Sequence, residues 1–490
     1  MSETVAESPA RGEGASEQSP APRSPSRGRW TVAACLVLVV VALLGIVPAL
    51  LHDFRANQPR GDQTSHVYLA LSIAYDSHTL NFDRFDAQRW RDVAWPGVPE
   101  PLALFFQRYD DGWAASKPYA YPLFIAPFVA VLGPDGFGVG NGALLILLVV
   151  GSLVLALRRF DALTAVLLVV AFYFASLIYM YAYPVMSELA EAALALAGYG
   201  GAYMFHRSGK AGWAVLTIAV MAFAIVEKAA FLMLFAPLAA VMLWELRRRR
   251  RILIGALLVG VLALGASVAP YLKYSDGNSF TPYAGARYQV KPVVDAKAPW
   301  DGGRIGQDYY AVTVTEGGIL DNAASGKVLD RVESLGYYVV GRYTGVLITA
   351  PLALLLLIAL LVRLPKANRW AVAATAGILF YIAFYLVVFP TNYYGGGQSV
   401  GNRYFVQVAP AVLVAALFAP IGARTVRILA LAAVALSLVF TLPHHRDPSH
   451  AYTDMLRTSA PQRLLPLEAN QDYTWLFRGE PQPPPEPVAP

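Results

Sequence analysis

An aspartate follows a glycine at Gly61-Asp62 and precedes Gln63-Thr64-Ser65-His66-Val67-Tyr68-Leu69. A carboxylate there can take a proton from a hydroxyl as a general base, or cap the amphipathic helix that Val67–Tyr75 suggests. His66 stands four residues on, on the same face if the stretch is helical, a spacing that permits a metal without demanding one. Further along, Ser116-Lys117-Pro118-Tyr119-Ala120-Tyr121-Pro122-Leu123 sets a lysine among prolines and aromatics. A lysine is a point charge suited to phosphate; a side chain lying along an apolar surface with its head in water is the plain alternative. Glu188 and Glu191 are three apart, on one helix face. The stretch from Asn392 to Phe405 contains Gly395, Gly396 and Gly397 in succession and ends at Arg403. Successive glycines allow positive φ, so their N–H groups can form an anion nest, and Arg403 falls where the next helix begins. These features suggest a phosphate or sugar site, against the alternative of a flexible loop with a surface arginine. Gly397-Gln398-Ser399-Val400-Gly401 also has the hydrolase G-x-S-x-G spacing, but that motif needs a strand–turn–helix context and helices flank it here.

The elements that carry these residues are apolar. Of 490 residues, 56% are hydrophobic and only 15% charged, and the mean hydropathy is +0.46. Soluble domains carry about 25% charged residues, so a water-soluble enzyme is excluded. The single cysteine, Cys35, excludes an intrachain disulfide, a cysteine zinc site and an iron–sulfur cluster. The formal charge of +6 sits in short basic blocks between apolar runs, which argues for a membrane and against nucleic acid. Residues 1–28 read as a disordered tail. The run Trp30–Leu51 is long enough to span a bilayer; the Pro-rich stretch before it and the lack of a small-x-small site favour a retained span over a cleaved leader. Further runs are Phe137–Leu157, Ala162–Met180, Pro184–Phe205, Ala211–Ile225, Ala229–Trp244, Ile252–Leu272, Val339–Val362, Trp370–Phe389, Tyr404–Pro420 and Ile428–Leu442, about eleven spans in all. With the N-terminus inside, every inner loop is short and basic: Arg158-Arg159, Arg207 to Lys210, Arg247–Arg251, Arg363 to Arg369, and Arg424 with Arg427.

The segments assigned outside are long or polar: about 52–136, 273–338 and 390–403, then a Pro-rich tail at 443–490. Tyr121–Leu132 is apolar but too short to span and reads as interfacial or re-entrant. Ala211–Ile225 and Ala229–Trp244 form a short hairpin whose tip, Glu227-Lys228, reads as a self-neutralising structural pair. Asp83, Arg84 and Asp86 read as a solvated turn, and His444, His445 and His450 as solvated tail residues. Trp300 and the tyrosines of 273–338 suit stacking on a sugar.

Taken in order and sidedness, these motifs resemble the GT-C membrane glycosyltransferases, particularly bacterial relatives of protein mannosyltransferases and of the lipid A aminoarabinose transferase. The match rests on GDQTSHVYLALSIAYDSHTLNF after the first span, on Lys117-Pro118 to Tyr121-Pro122-Leu123 before the second, on the short hairpin, and on the Gly-Gly-Gln-Ser-Val-Gly-Asn-Arg-Tyr loop. It covers residues 30 to about 442. The resemblance implies an all-α polytopic GT-C-like bundle with juxtamembrane helices in the outer loops, over 29–442. It implies inverting transfer of a sugar from a polyprenyl-phosphate donor to an envelope glycan, lipid or protein at the outer face of a bacterial plasma membrane, with the N-terminus cytoplasmic and the C-terminus outside. Asp62 would be the base and Lys117 the contact to the carrier phosphate. Arg403, Gly396 and Gly397 follow as phosphate contacts from the residues themselves, with His66, Tyr121 and Glu188 as substrate-site neighbours. Gln63 stands where relatives often have an acid, and Ser116 where some do, so no bridging metal or other cofactor is expected. A multi-pass transporter or flippase for a lipid-linked precursor is the alternative; it accounts for the spans but not for long outer loops bearing most of the polar motifs.

Overall fold

The computed structural model describes residues 32–33, 36–37, 39–40, 62–75, 104–109, 112–274, 280–282, 287–292, 309–313, 328–395, 401–441 and 461–468; for 62, 104–109, 112–115, 274, 287–292, 309–313 and 462 it describes the backbone alone. Both expected tails (apart from 461–468), most of the first span, the turn at Asp83–Asp86, Trp300 and the three late histidines lie outside the described residues.

The first helix, α1, is Asp62–Tyr75. Thr64 to Ser72 are all buried, so it is enclosed on every side and not amphipathic as its pattern suggested. Two strands follow, β1 (Leu104–Tyr109) and β2 (Gly112–Ala115). Then come α2 (Ala120–Leu132), α3 (Asp135–Leu157) and α4 (Ala162–Phe174). A 3-10 turn at Ile178–Ala182 leads into α5 (Glu188–Ser208), the hairpin α6 (Ala211–Glu227) and α7 (Phe231–Leu246), and α8 (Arg250–Tyr274). After β3 (Arg287–Pro292) and β4 (Tyr309–Thr313) the chain is helical again: α9 (Val328–Val340), α10 (Val346–Thr349), α11 (Pro351–Arg363), α12 (Arg369–Val388), α13 (Arg403–Phe418) and α14 (Ala423–Phe440).

This is a polytopic membrane bundle. Among the described residues four helices, α3, α8 to Lys273, α12 and α14, are long and apolar enough to cross a bilayer. Helices α2, α4, α6, α7 and α13 are shorter and apolar, and α5, 21 residues long, opens with two carboxylates. In α13 every residue from Phe405 to Phe418 is buried, so it forms the axis of the core, packed chiefly on α5. Helices α8 and α14 are peripheral and point leucines and isoleucines outward, Leu258, Leu262, Ile428 and Leu431 among them. Apolar side chains facing out and a dense core facing in suit a hydrocarbon solvent. At 13 residues and about 1.5 Å per residue, α2 is too short to span, as its length in the sequence predicted.

Two expectations change. The apolar run Val339–Val362 is not one helix: α9 ends at Val340, residues 341–345 form a non-helical break, and the helical path resumes at α10 and α11. Gly341, Gly345 and Pro351 lie inside that run, and each weakens or interrupts a helix. The outer loops also hold more than helices. Strands β1–β4 make an antiparallel sheet in the order β2-β1-β3-β4, with Phe106 opposite Ala115, Leu104 opposite Val290 and Tyr288 opposite Thr313. The sheet thereby joins the first long loop to the second.

The five basic loops share one end of the bundle. The Arg159 guanidinium donates to the carbonyls of Leu417, Ala419 and Ile421, and Arg427 pairs with Asp161. Asn368 reaches the Phe418 carbonyl at 3.1 Å; Arg369 and the Trp370 indole both meet Glu245. Arg249 donates to the Gly209 carbonyl at 2.7 Å. The alternation of short basic loops read from the sequence therefore corresponds to a single physical face.

Candidate active site

The opposite end gathers the polar residues. Helix α1 runs alongside α2 in the same direction: His66 near the start of one meets Tyr121 near the start of the other, ring edge to ring face at 5.3 Å, and at the far ends the Tyr75 hydroxyl reaches the Val129 carbonyl at 3.3 Å. The first residue of α1, Asp62, therefore lies about one helical turn beyond His66, toward the end where Lys117 precedes α2. The side chain of Asp62 is outside the described residues, as are Gly396 and Gly397. Lys117 is only 8% exposed, so it is not a side chain spread along the surface. Tyr121 donates to Asn141 Oδ1 at 2.9 Å, and Asn141 donates in turn to the Pro184 carbonyl at 3.0 Å, four residues before α5.

Helix α5 opens with Glu188 and has Glu191 in its first turn. Carboxylates suit that position because the helix N-terminus carries partial positive charge. Helix α13 opens with the opposite sign, at Arg403. The same dipole disfavours a cation there, and two neighbours compensate. Asn402 caps the helix, its Oδ1 accepting the Phe405 N–H at 2.9 Å, and Glu188 accepts from Arg403 Nε. Both partners of this ion pair are buried. A second Arg403 nitrogen points at the Gly395 carbonyl, 3.4 Å away. Residue 401 has φ +69° and a Cβ there would come within 2.6 Å of Thr349 Oγ1, so the approach to Arg403 requires glycine.

The hairpin tip inserts between these groups, and its two charged residues part company. Lys228 is extended, φ −151° and ψ 109°, so the adjacent side chains diverge. Glu227 Oε2 accepts the Ala120 N–H at 3.0 Å, at the N-terminus of α2. Lys228 turns the other way, donating to Glu191 Oε2 at 3.1 Å and to Gln407 Oε1 at 2.6 Å. Its ammonium also lies 4.6 Å from the centre of the Tyr404 ring, and Tyr404 stacks on Tyr385 at 4.1 Å. Gln407 Oε1 takes a further bond from the Tyr381 hydroxyl at 2.7 Å, and Glu191 Oε1 one from Ser187 at 2.8 Å. The self-neutralising Glu227–Lys228 pair read from the sequence is thus replaced by two separate attachments.

The outcome is a buried set of two carboxylate–cation pairs, Glu188–Arg403 and Glu191–Lys228, one helical turn apart along α5. Glu188 Oε2 and Glu227 Oε1 are buried and make no hydrogen bond among the described residues. Such a set can hold an anion by lending it a cation that a carboxylate otherwise occupies, and the nearby start of α1 can hold a base. The sequence reading gives Lys228 a structural role and does not include Gln407 or Asn141, although a charge or amide inside an apolar helical pair is itself a functional signal. Just outside the spans, burial raises the Tyr119 phenol to about 12, with the charge of Glu227 adding to the shift and the Ser267 bond opposing it; that hydroxyl stays protonated and is a donor, not a base.

No protein-family model matches the chain, and no curated protein matches it either. Among solved structures it is similar to ArnT from Cupriavidus metallidurans bound to undecaprenyl phosphate, at 15% identity, over 88% of this chain and 69% of that one, with a TM-score of 0.44. It is also similar to the Archaeoglobus fulgidus oligosaccharyltransferase in the apo form, at 14% identity, over 95% of this chain and 62% of that one, with a TM-score of 0.37.

Proposed function

We propose that this chain is an integral membrane glycosyltransferase that moves a sugar from a polyprenyl-phosphate carrier to a cell-envelope acceptor, with inversion at the anomeric carbon and Asp62 as the base. The observation that carries the proposal is the convergence, at one end of the bundle, of the start of α1 with Lys117 and with the buried Arg403–Glu188 pair. These are the same three motifs on which the sequence resemblance rests or to which it points, and they are far apart in the chain.

The chemistry follows from the charges. As the acceptor hydroxyl attacks the anomeric carbon, its proton passes to the Asp62 carboxylate and a new C–O bond forms. The bond from that carbon to the phosphate oxygen breaks on the opposite side, and its electron pair leaves with the phosphate. The added negative charge needs cations already in place. Lys117 supplies a point charge and Arg403 a planar fork, and buried surroundings make each worth more than it would be in water. The polyprenyl chain lies against the apolar flank of the bundle, which accounts for a sugar-handling enzyme made mostly of hydrocarbon-facing helices.

The test is sugar transfer by the purified, detergent-solubilised protein from a panel of radiolabelled polyprenyl-phosphate sugars, wild type against Asp62→Asn. Transfer by wild type alone, with equal folding and equal carrier binding, is the expected result. Equal transfer by both removes Asp62 from the chemistry. Movement of the labelled carrier across reconstituted vesicles without transfer replaces the enzyme with a flippase.

A further inference from the structure

The break between α9 and α10 contains buried backbone that needs acceptors. Tyr343 and Thr344 are 8% and 1% exposed, and no helix supplies partners for their N–H groups, which burial makes costly to leave unpaired. The partner comes from residues 461–468, beyond the last helix. Glu468 Oε1 accepts the N–H groups of Tyr343 and Thr344, each at 2.8 Å, and the Thr344 hydroxyl at 3.1 Å. Arg342 ties down the rest of that segment: its N–H donates to the Pro466 carbonyl at 3.0 Å, and its guanidinium to the carbonyls of Leu465 and Arg463. Glu468 is buried. A Cβ on residue 341 would come within 2.5 Å of its Oε1, so the seat depends on Gly341.

The break and the short α10 that follows it grip the two flanks of the segment leading to Arg403. The Thr344 hydroxyl spends its proton on Glu468 and so accepts from the Tyr393 hydroxyl, at 2.8 Å. The next carbonyl, that of Tyr394, accepts the Arg403 N–H at 2.9 Å. On the other flank Thr349 Oγ1 accepts the Asn402 N–H at 2.8 Å. The Tyr338 ring packs on Tyr393 and on Phe405, at 5.5 and 6.2 Å.

We infer that Glu468 is a positioning residue for the site: it fixes the break at 341–345, and through Thr344 and Tyr393 the break holds the backbone around Arg403. The coupling stands on these contacts alone; its consequence for the donor rests on the reading that Arg403 meets the carrier phosphate. Glu468 Oε2 makes no hydrogen bond among the described residues, so the side-chain amide of glutamine can replace the carboxylate, whereas alanine removes the acceptor of two backbone N–H groups and lets the Thr344 hydroxyl turn its proton to Tyr393.

Hydrogen exchange of peptides covering 390–405, in the ligand-free full-length protein, reads the coupling without any activity. Glu468→Ala is expected to speed it by about tenfold or more, the equivalent of one lost bond to a charged acceptor, while Glu468→Gln stays close to wild type. Tyr393→Phe, which leaves the tail attached, is expected to do the same at 390–405 with no change at 461–468. Binding of undecaprenyl phosphate, followed in parallel, then falls in Glu468→Ala and returns in Glu468→Gln. Unchanged exchange at 390–405 when the tail has been released overturns the inference. Faster exchange with unchanged phosphate binding upholds the coupling and removes Arg403 from donor recognition.

Discussion

The Glu191–Lys228 pair permits a quantitative test of how this core tolerates charge. The side chains are 7% and 10% exposed, so neither charge has water to fall back on. Glu191→Leu leaves the ammonium, among the described residues, with its bond to Gln407 Oε1 and the faces of Tyr404 and Tyr385. Removing one partner of a buried pair costs about 3–5 kcal/mol, because the remaining charge is uncompensated. Lys228→Met strands the carboxylate with the Ser187 hydroxyl and is expected to cost a similar amount. The double variant removes both charges and keeps the volume filled. Its expected loss is only about 1–2 kcal/mol, chiefly the orphaned Ser187 bond, because Gln407 still accepts from Tyr381. The two substitutions should therefore be coupled by at least about 4 kcal/mol, well beyond the additivity of independent sites. Equilibrium unfolding of the four proteins in mixed micelles, followed by tryptophan fluorescence and by protease resistance, gives the cycle. If the single losses add up to the double loss within about 0.5 kcal/mol, Lys228 is not bonded to Glu191 in the folded protein, and the assignment of the hairpin tip is wrong.

Other outcomes follow from single contacts. Arg403→Lys keeps the charge but loses the planar fork that meets Glu188, and is expected to weaken binding of undecaprenyl phosphate about tenfold; tight binding by the lysine variant would show that geometry at residue 403 is immaterial. Asn402→Ala removes the acceptor of the Phe405 N–H and should cost about 0.5–2 kcal/mol in the same unfolding assay, with a larger gain in exchange at the start of α13 than at its end. Burial lifts the Glu468 carboxyl above its usual range, against the pull of the Thr344 and Tyr343 N–H groups. A carboxyl whose pKa is raised by folding holds its proton more tightly when folded, so the clasp loses stability as pH rises from the ordinary value of about 4.3 through the raised one. Acidification from neutral pH should accordingly slow exchange at 461–468, corrected for the intrinsic rate, in wild type and leave Glu468→Gln flat; faster corrected exchange in acid contradicts this.

How much of this was legible in the sequence depends on the distance over which each feature is decided. Apolar runs are local, and α3, α12 and α14 start within a few residues of where hydropathy alone puts them, as does the short α2. The basic loops are local too, and their common end follows from alternation. Residue types at the site were equally visible: an acid pair at 188 and 191, a lysine at 117, an arginine opening a helix. Their pairing was not, because Glu188 and Arg403 are 215 residues apart and the reading paired Lys228 with its sequence neighbour. The broken span fails for the same reason. Its N–H groups at 343 and 344 are satisfied by a carboxylate 124–125 residues downstream, which no local pattern announces. The sheet was missed for a different cause. Leu-Phe-Phe-Gln-Arg-Tyr, Arg-Tyr-Gln-Val-Lys-Pro and Tyr-Tyr-Ala-Val-Thr carry the aromatic and branched residues strands favour, but each lies inside a long outer loop, where hydropathy alone marks no element.

That sheet has a consequence for biogenesis. Strand β1 ends at Tyr109 and its second partner, β3, begins at Arg287, with five helices longer than α2 emerging between them. At roughly 5–20 residues per second, the ribosome needs about 10–35 s to deliver the missing strand. Until then the β1–β2 hairpin shows a free edge of unpaired amides, the kind of edge that recruits foreign strands, and an isolated two-stranded hairpin is barely stable by itself. The polar layer of this protein therefore closes late, after α8 has been threaded into the bilayer. An insertion error anywhere from α3 to α8 that flips one helix would deliver β3 to the wrong side and leave that edge open for good.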